Sequence, residues 1–460
     1  MTHHFSRCLL SLLLLALSSA QGVFAQTSPE LGKLQNDFAM NFLEPGPHMA
    51  LAKYHLARGD RREAFFILET ARRGFLEEKV FDHAFQVAFE EFDNSKAGEE
   101  KLIAALGQNP NSADLQFKLA DVYISRSDYT KAKQILVPGI KEHAEDYRFT
   151  AGLAGILQIE GKSEEAARIV QQYAARYPES EEGYLLRVEA LHKTNAQRAR
   201  NLLEQGVAKY PNNGDLLFRL AAIVQEARDL DKAEMLFVKA ASLAPKSIQI
   251  QSWVGRFFFK VRNSGDKALP YYLNAYFRSP HAYETEFVES RIQNIYAAQT
   301  QSAFESEMKA KKPLAELLDN PHPGVVSKAL EQMETQWQPK YVDSVTALMG
   351  HYNQGVRWAA TQLLKKKADG SFDAKLRILL KDGDLRIRGL AAYIAVYRWK
   401  NASFQVMDEL LAAEAQLLRF DAISALILEG GEAGKRRALA HAAKETHPTL
   451  KKLLDKARVE

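Results

Sequence analysis

Proline keeps a fixed frame along this chain. Pro110, Pro178, Pro211, Pro245 and Pro280 are separated by 68, 33, 34 and 35 residues, so the first gap spans two units of the same length as the others. Side-chain size keeps that frame too. Ala64, Gly98, Ala132, Ala166, Ala199, Ala233 and Ala268 form one series of small residues, and Ala71, Ala105, Gly139, Tyr173, Gly206, Ala240 and Ala275 form a second with one exception. Between them runs a bulky series: Leu68, Leu102, Leu136, Val170, Leu203, Phe237 and Tyr272. Two antiparallel helices approach closely only where one presents Ala or Gly, and a bulky residue one turn away then fills the adjoining groove. The pattern therefore predicts repeated helix pairs. Arg58-Gly59-Asp60, Ser127-Asp128 and Glu160-Gly161-Lys162 break the periodicity between the two helices of a pair. Proline ends each second helix, because it lacks the amide hydrogen and clashes with the preceding turn.

This layout resembles the tetratricopeptide repeat family, whose period is about 34 residues. The resemblance covers Pro45 to Ala282 as seven units beginning near Pro45, Lys79, Ala113, Tyr147, Ser180, Gly214 and Gln249. It implies a stack whose first helices line a concave groove for a partner protein. There are departures. Tyr173 holds a small-residue slot, Arg187 and Arg256 replace a small residue of the first helix, and Leu76 and Ala144 replace the closing proline. Residues 283–312 read as a covering helix and a charged linker, since the end of a solenoid needs its apolar face closed.

A second ruler follows. Val325, Val356, Ile387 and Leu418 are 31 residues apart, and each precedes a helix rich in small residues. Residues 313–460 resemble short HEAT-like repeats. Arg357, Arg388 and Arg419 repeat at the same step, which predicts a ladder pairing with turn acids or carbonyl groups, and Asp382 or Asp384 is positioned to cap a helix. With no convincing strand alternation anywhere, the expected class is all-α, an αα-superhelix with a tetratricopeptide-type solenoid followed by a HEAT-like one.

The start of the chain reads as an address. Cys8 to Leu17 is an apolar run too short to span a bilayer, and Val23-Phe24-Ala25 fits a cleavage site, so residues 1–25 are expected to be a secretory signal, with 26–44 a leader segment. Cys8 is the only cysteine, which leaves no disulfide or thiolate site after it. An exported, disulfide-free chain fits the bacterial periplasm. No later run is long enough for a transmembrane helix.

Catalytic chemistry is not written here. Gly430 to Arg436 imitates a phosphate loop, but its glycines are one residue too close and Ser or Thr does not follow Lys435, so it reads as an inter-helix loop. His441 and His447 lack the spacing of a zinc pair. The expectation is a non-enzymatic scaffold or assembly factor of the cell envelope with no cofactor or metal, and the alternative is an accessory protein that handles polysaccharide during surface-polymer export. The candidate binding residues are Phe117, Tyr184, Phe218 and Trp253 at one slot of successive first helices, with Ala151 interrupting, and Phe257 one turn on. Exposed in a groove, these rings would hold a peptide or stack on a glycan. Turned by one residue, they would pack between helices, and aromatic residues at helical spacing favour that second placement. Residues 313–460 carry 22 basic and 18 acidic residues, a small excess that suits either a solvated surface or an anionic partner. Export and the absence of basic-aromatic interleaving argue against nucleic acid.

Overall fold

The computed structural model describes residues 29–460 apart from 75–80, 82, 83, 86, 87, 89–95, 193, 194, 279–282 and 460. The expected signal at residues 1–25, Leu76, Lys79 and Pro280 lie outside the described residues. Among the described residues every regular element is helical, so the fold is all-α. Contacts divide the chain into two compact units: residues 85–295, and residues before 85 together with 296–460.

Three helices open the described chain: α1 (Pro29–Met40), α2 (Pro45–Ala57) and α3 (Arg61–Gly74). The 85–295 unit then runs through α4 (Lys96–Gln108), α5 (Ala113–Ser125), α6 (Tyr129–Glu142), α7 (Tyr147–Ile159), α8 (Ser163–Arg176), α9 (Glu181–His192), α10 (Ala196–Lys209), α11 (Gly214–Glu226), α12 (Leu230–Leu243), α13 (Ile248–Arg256) and α14 (Gly265–Tyr276). Helix α15 (Tyr283–Lys309) passes from this unit into the other. From α5 to α14 the helices pair as tetratricopeptide-type hairpins.

The turn inside three of these pairs is set by one left-handed residue. Ser127, Gly161 and Arg228 have φ of 59°, 77° and 65°, and Gly59 in the α2–α3 pair has 78°. The next amide then reaches back five residues, Asp128 to the Tyr123 carbonyl at 2.8 Å and Asp229 to that of Val224 at 3.2 Å. That bond satisfies carbonyls the helix end leaves open. Asp128 and Asp229 then accept from the amides of Lys131 and Lys232 to cap the second helix.

Small residues do the work the periodicity assigns them. Ala132, Ala199, Ala233 and Ala268 are fully buried. A Cβ on Gly139 would lie 2.1 Å from the Phe149 ring, and one on Gly206 3.2 Å from that of Tyr184, so each glycine is a notch for an aromatic ring. Tyr173, in a notch position, is buried and donates its hydroxyl to the Glu145 carbonyl at 2.8 Å, with its ring 4.9 Å from that of Tyr147. Arg256 does not fill the small first-helix slot: Gly255 does, with the Tyr272 ring 2.7 Å from where its Cβ would be. This unit has 35 residues between its prolines. The extra residue is absorbed by a π-helical turn, Phe257–Val261.

The remaining helices are α16 (Pro323–Met333), α17 (Val342–Ala347), α18 (Gln354–Lys367), α19 (Phe372–Leu379), α20 (Leu385–Trp399), α21 (Phe404–Leu411), α22 (Gln416–Glu429), α23 (Gly431–His441) and α24 (Pro448–Val459). The 31-residue step is real in three dimensions. Arg357, Arg388 and Arg419 each donate to the carbonyl six residues earlier, on His351, Asp382 and Ala413, at 2.6–3.0 Å. Asp384 caps α20 through the Arg386 amide. The stretch from Gly430 differs from the loop read in the sequence, because α23 starts at Gly431. A Cβ on Gly434 would lie 2.4 Å from the Leu426 carbonyl oxygen, so bare glycine backbone lets α23 fold directly back on α22.

Helix α1 and the turn after it share a core with these C-terminal repeats. Ala39, Phe42 and Leu43 belong to the same buried cluster as Val356, Ile394 and Leu426. The Phe42 ring lies 5.2 Å from that of Phe420, and the Leu43 amide donates to Gln416 Oε1 at 2.7 Å. Arg62 donates to His322 and to Thr300 Oγ1, both at 2.9 Å.

The notch geometry yields a direct test. Gly139→Ala should destabilise the chain by about 1–3 kcal/mol, because Phe149 cannot clear the new methyl without moving. Gly107→Ala, with nothing within 4 Å of its Cβ position, should be neutral or slightly stabilising. Urea unfolding of the two variants separates the cases.

Candidate functional site

The five aromatic residues do not form one exposed strip. Tyr184 and Phe257 are buried, Phe117 and Phe218 are half-buried, and Trp253 is 39% exposed. Phe117 meets the edge of Phe149 at 5.8 Å, with the Arg148 guanidinium 5.2 Å from its centroid. Tyr184 lies in the Gly206 notch and donates to Glu179 Oε2 at 2.9 Å. Phe218 sits between Phe237 of α12 and Trp253 of α13, at 5.9 and 6.1 Å. Phe257 packs on Phe237 at 5.1 Å and belongs to the core.

Helical phase explains the split. In α13 and its π turn the buried residues include Ile250, Val254, Gly255, Phe257 and Phe258, whereas Gln249, Trp253, Arg256 and Lys260 are exposed. The exposed set repeats at three or four residues and so shares one face. The Arg256 guanidinium lies 5.3 Å from the Trp253 centroid. Beside it, Arg291 of α15 lies 5.2 Å from the Phe259 centroid and 4.7 Å from that of Phe287, which is 38% exposed. Arg256, Phe259, Phe287 and Arg291 were not singled out as binding residues from the sequence. The available signals were an arginine in a small-residue slot and a spacing one residue too long.

Beneath them is Tyr272. It is fully buried, its hydroxyl has no hydrogen-bond partner, and burial pushes its pKa up to about 12 against the opposing pull of Arg291 and Arg256. The patch thus offers two guanidinium groups and open aromatic faces. It has no nucleophile–base pair. Among the described residues no group of three or more His, Cys, Asp or Glu side chains is placed to hold a metal ion, and no helix is long and apolar enough to cross a membrane.

The other unit holds a second concentration of charge. Arg357, Arg386 and Asp421 line a cavity of about 170 Å³ with Phe38, Phe42, Trp358, Tyr393 and Phe420. Burial lowers Arg357 to about 10 and pushes Asp421 up to about 7. Tyr393 donates to Asp421 Oδ1 at a long 3.4 Å, and the other carboxylate oxygen occupies the space Gly389 leaves open. Glu63 is also raised by burial and accepts from Asn353 Nδ2 at 2.7 Å. Arg357 and Asn353 bind groups of their own unit, and this cluster fixes α3 and α22 against α18.

The class the geometry defines is an all-α repeat protein whose 85–295 unit is a tetratricopeptide-type solenoid. No family model matches the chain, and no curated protein matches it. Among solved structures, Pseudomonas aeruginosa pilF is similar at 17% identity over 55% of this chain and 98% of its own, with a TM-score of 0.27. The P58(IPK) TPR domain gives 13% over 90% and 96%, with 0.23, and yeast Tom70 gives 14% over 93% and 88%, with 0.24. With scores this low, the fold rests on the chain's own repeat geometry.

Asp421 gives a pH test. An acid raised by folding holds its proton more tightly in the folded state. Its stabilising contribution is therefore full below the ordinary 3.8 and is lost as pH rises through about 7. Asp421→Asn removes that loss. The variant should gain stability over the parent, on the order of a few kcal/mol, as pH rises from about 4 to about 8. Melting temperatures of the pair across that range measure it.

Proposed function

We propose that this chain is a non-enzymatic scaffold of the bacterial cell envelope that holds a partner protein on the first-helix face of its 85–295 unit. The observation that carries the reading is the exposed Trp253–Arg256–Arg291–Phe287 patch. Tryptophan and arginine dominate the binding energy of protein interfaces when they are enclosed by a partner. A row of rings in contact along α11 and α13 stiffens that face, which lowers the entropy lost on docking. The 31-residue repeats, HEAT-like in their arginine staples and paired helices, supply a second surface of their own. A tetratricopeptide-type fold supports protein binding as its general use.

Placement in the envelope rests on the apolar run from Cys8 and the Val23-Phe24-Ala25 site, together with the absence of cysteine after Cys8. Expressed in a bacterium with an outer membrane, the chain should be recovered from the periplasmic fraction with Gln26 as its first residue, read by N-terminal sequencing. A cytoplasmic chain that keeps Met1 would contradict the placement.

Docking is tested by comparing two exposed side chains. Trp253→Ala should cost a co-purifying partner about tenfold or more in affinity. Met235→Ala, at a residue 63% exposed on the second helix α12, should leave it unchanged. Equal effects of the two substitutions would remove the first-helix face from the account.

A further inference from the structure

Arg256 and Arg291 are held differently from the ion-paired arginines of the 85–295 unit. Arg126 pairs with Glu99, Arg148 with Asp146 and Asp114, Arg187 with Glu179, and Arg262 with Asp231 and Glu234. Arg256 and Arg291, by contrast, form no ion pair among the described residues, and each is held over aromatic rings. Stacking orients a guanidinium and leaves its hydrogen-bonding edge available. Arg291 Nε and the Tyr272 hydroxyl are both buried without a partner. Buried polar groups in native proteins are almost always satisfied, so these two donors leave room for an acceptor that the chain itself does not supply.

Two neighbouring features shape the place. Gly255 admits the Tyr272 ring directly behind Arg256. The π turn at Phe257–Val261 brings Phe259 to within 6.3 Å of Tyr272 and under Arg291. Irregular π turns of this kind recur at functional sites. Trp253 and Phe287, each more than one-third exposed, offer apolar surface beside the two arginines.

We propose that this patch recognises an acidic segment of a partner protein, in which an Asp or Glu side chain sits next to a bulky apolar residue. The inference rests on the docking role of the first-helix face and names the chemistry of what docks. The carboxylate accepts hydrogen bonds from Arg256 and Arg291, the planar forks that suit it best. The apolar neighbour covers Trp253 or Phe287 and excludes water from the charged contact. A carboxylate is favoured over a basic or neutral ligand because two unpaired cations line the patch.

The test is selection of a random-peptide phage library on the full-length chain, followed by titration calorimetry of an enriched peptide. The expected outcome is enrichment of Asp or Glu beside Trp, Phe, Tyr, Leu or Met. Changing the peptide's acid to its amide, or Arg256→Gln with Arg291→Gln in the protein, should weaken binding about tenfold or more. Arg256→Lys and Arg291→Lys keep the charge without the fork and should restore binding only in part. Circular dichroism and the melting curve of each variant show that it is folded, and Arg256→Gln alone, at an exposed position, should be folded like the parent. Peptides that require Trp253 but neither the acid nor the arginines would overturn the proposal and leave the docking face standing. Failure to enrich any peptide that depends on Trp253 would overturn both. Displacement by polygalacturonate at lower carboxylate concentration than by the peptide would overturn it in favour of an anionic glycan.

Discussion

The close approach of two helices at a residue with little or no side chain is the contact on which the 85–295 unit depends. Gly139 accepts Phe149, Gly206 accepts Tyr184 and Gly255 accepts Tyr272, and alanines at the other slots let helix backbones meet. Each contact joins neighbours in the stack, so its loss is local and its repetition is cumulative. The left-handed turn residues matter for the same reason. They aim the second helix so that its small residues meet the first, and the caps of Asp128 and Asp229 fix where it begins.

The other unit uses a different device at each step. An arginine reaches back six residues to a turn carbonyl, three times in succession, and so ties a helix to the turn that precedes it. The unit also incorporates the start of the described chain. Phe42 on Phe420, Leu43 on Gln416 and Asn353 on Glu63 bind segments that are hundreds of residues apart in the sequence. Buried charge is the consequence, and it is why Asp421 keeps its proton to near neutrality.

Periodic contacts were legible in the sequence because each recurs at a fixed offset in successive units: the small-residue slots, the turns and the 31-residue arginine ladder; the Asp384 cap was legible from its own turn residues. Contacts made once were not. Nothing local to Phe42 says that it will meet Phe420, and nothing around Gly430 reveals that bare backbone will let a helix start at once. For the candidate site, spacing placed the aromatic residues on first helices but not on a side of them. A phase difference of one residue separates exposed Trp253 from buried Val254, and sequence periodicity is not that sharp. The π turn added a residue where the 34-residue frame had none, which is how Arg256 came to face outward while Gly255 took the inner slot.

The repeat packing and the open side chains come together at α13. A repeat presents an open tryptophan and two arginines without acids on the face proposed to hold a partner, with a buried hydroxyl lacking an acceptor beneath them. The most direct measurement is hydroxyl-radical footprinting of the complex isolated from its native cells, compared with the chain alone. The account predicts strong protection of Trp253 and Phe287, with Met235 on α12 unchanged. Protection confined to second helices or to residues 313–460, with Trp253 as reactive as in the free chain, would contradict it.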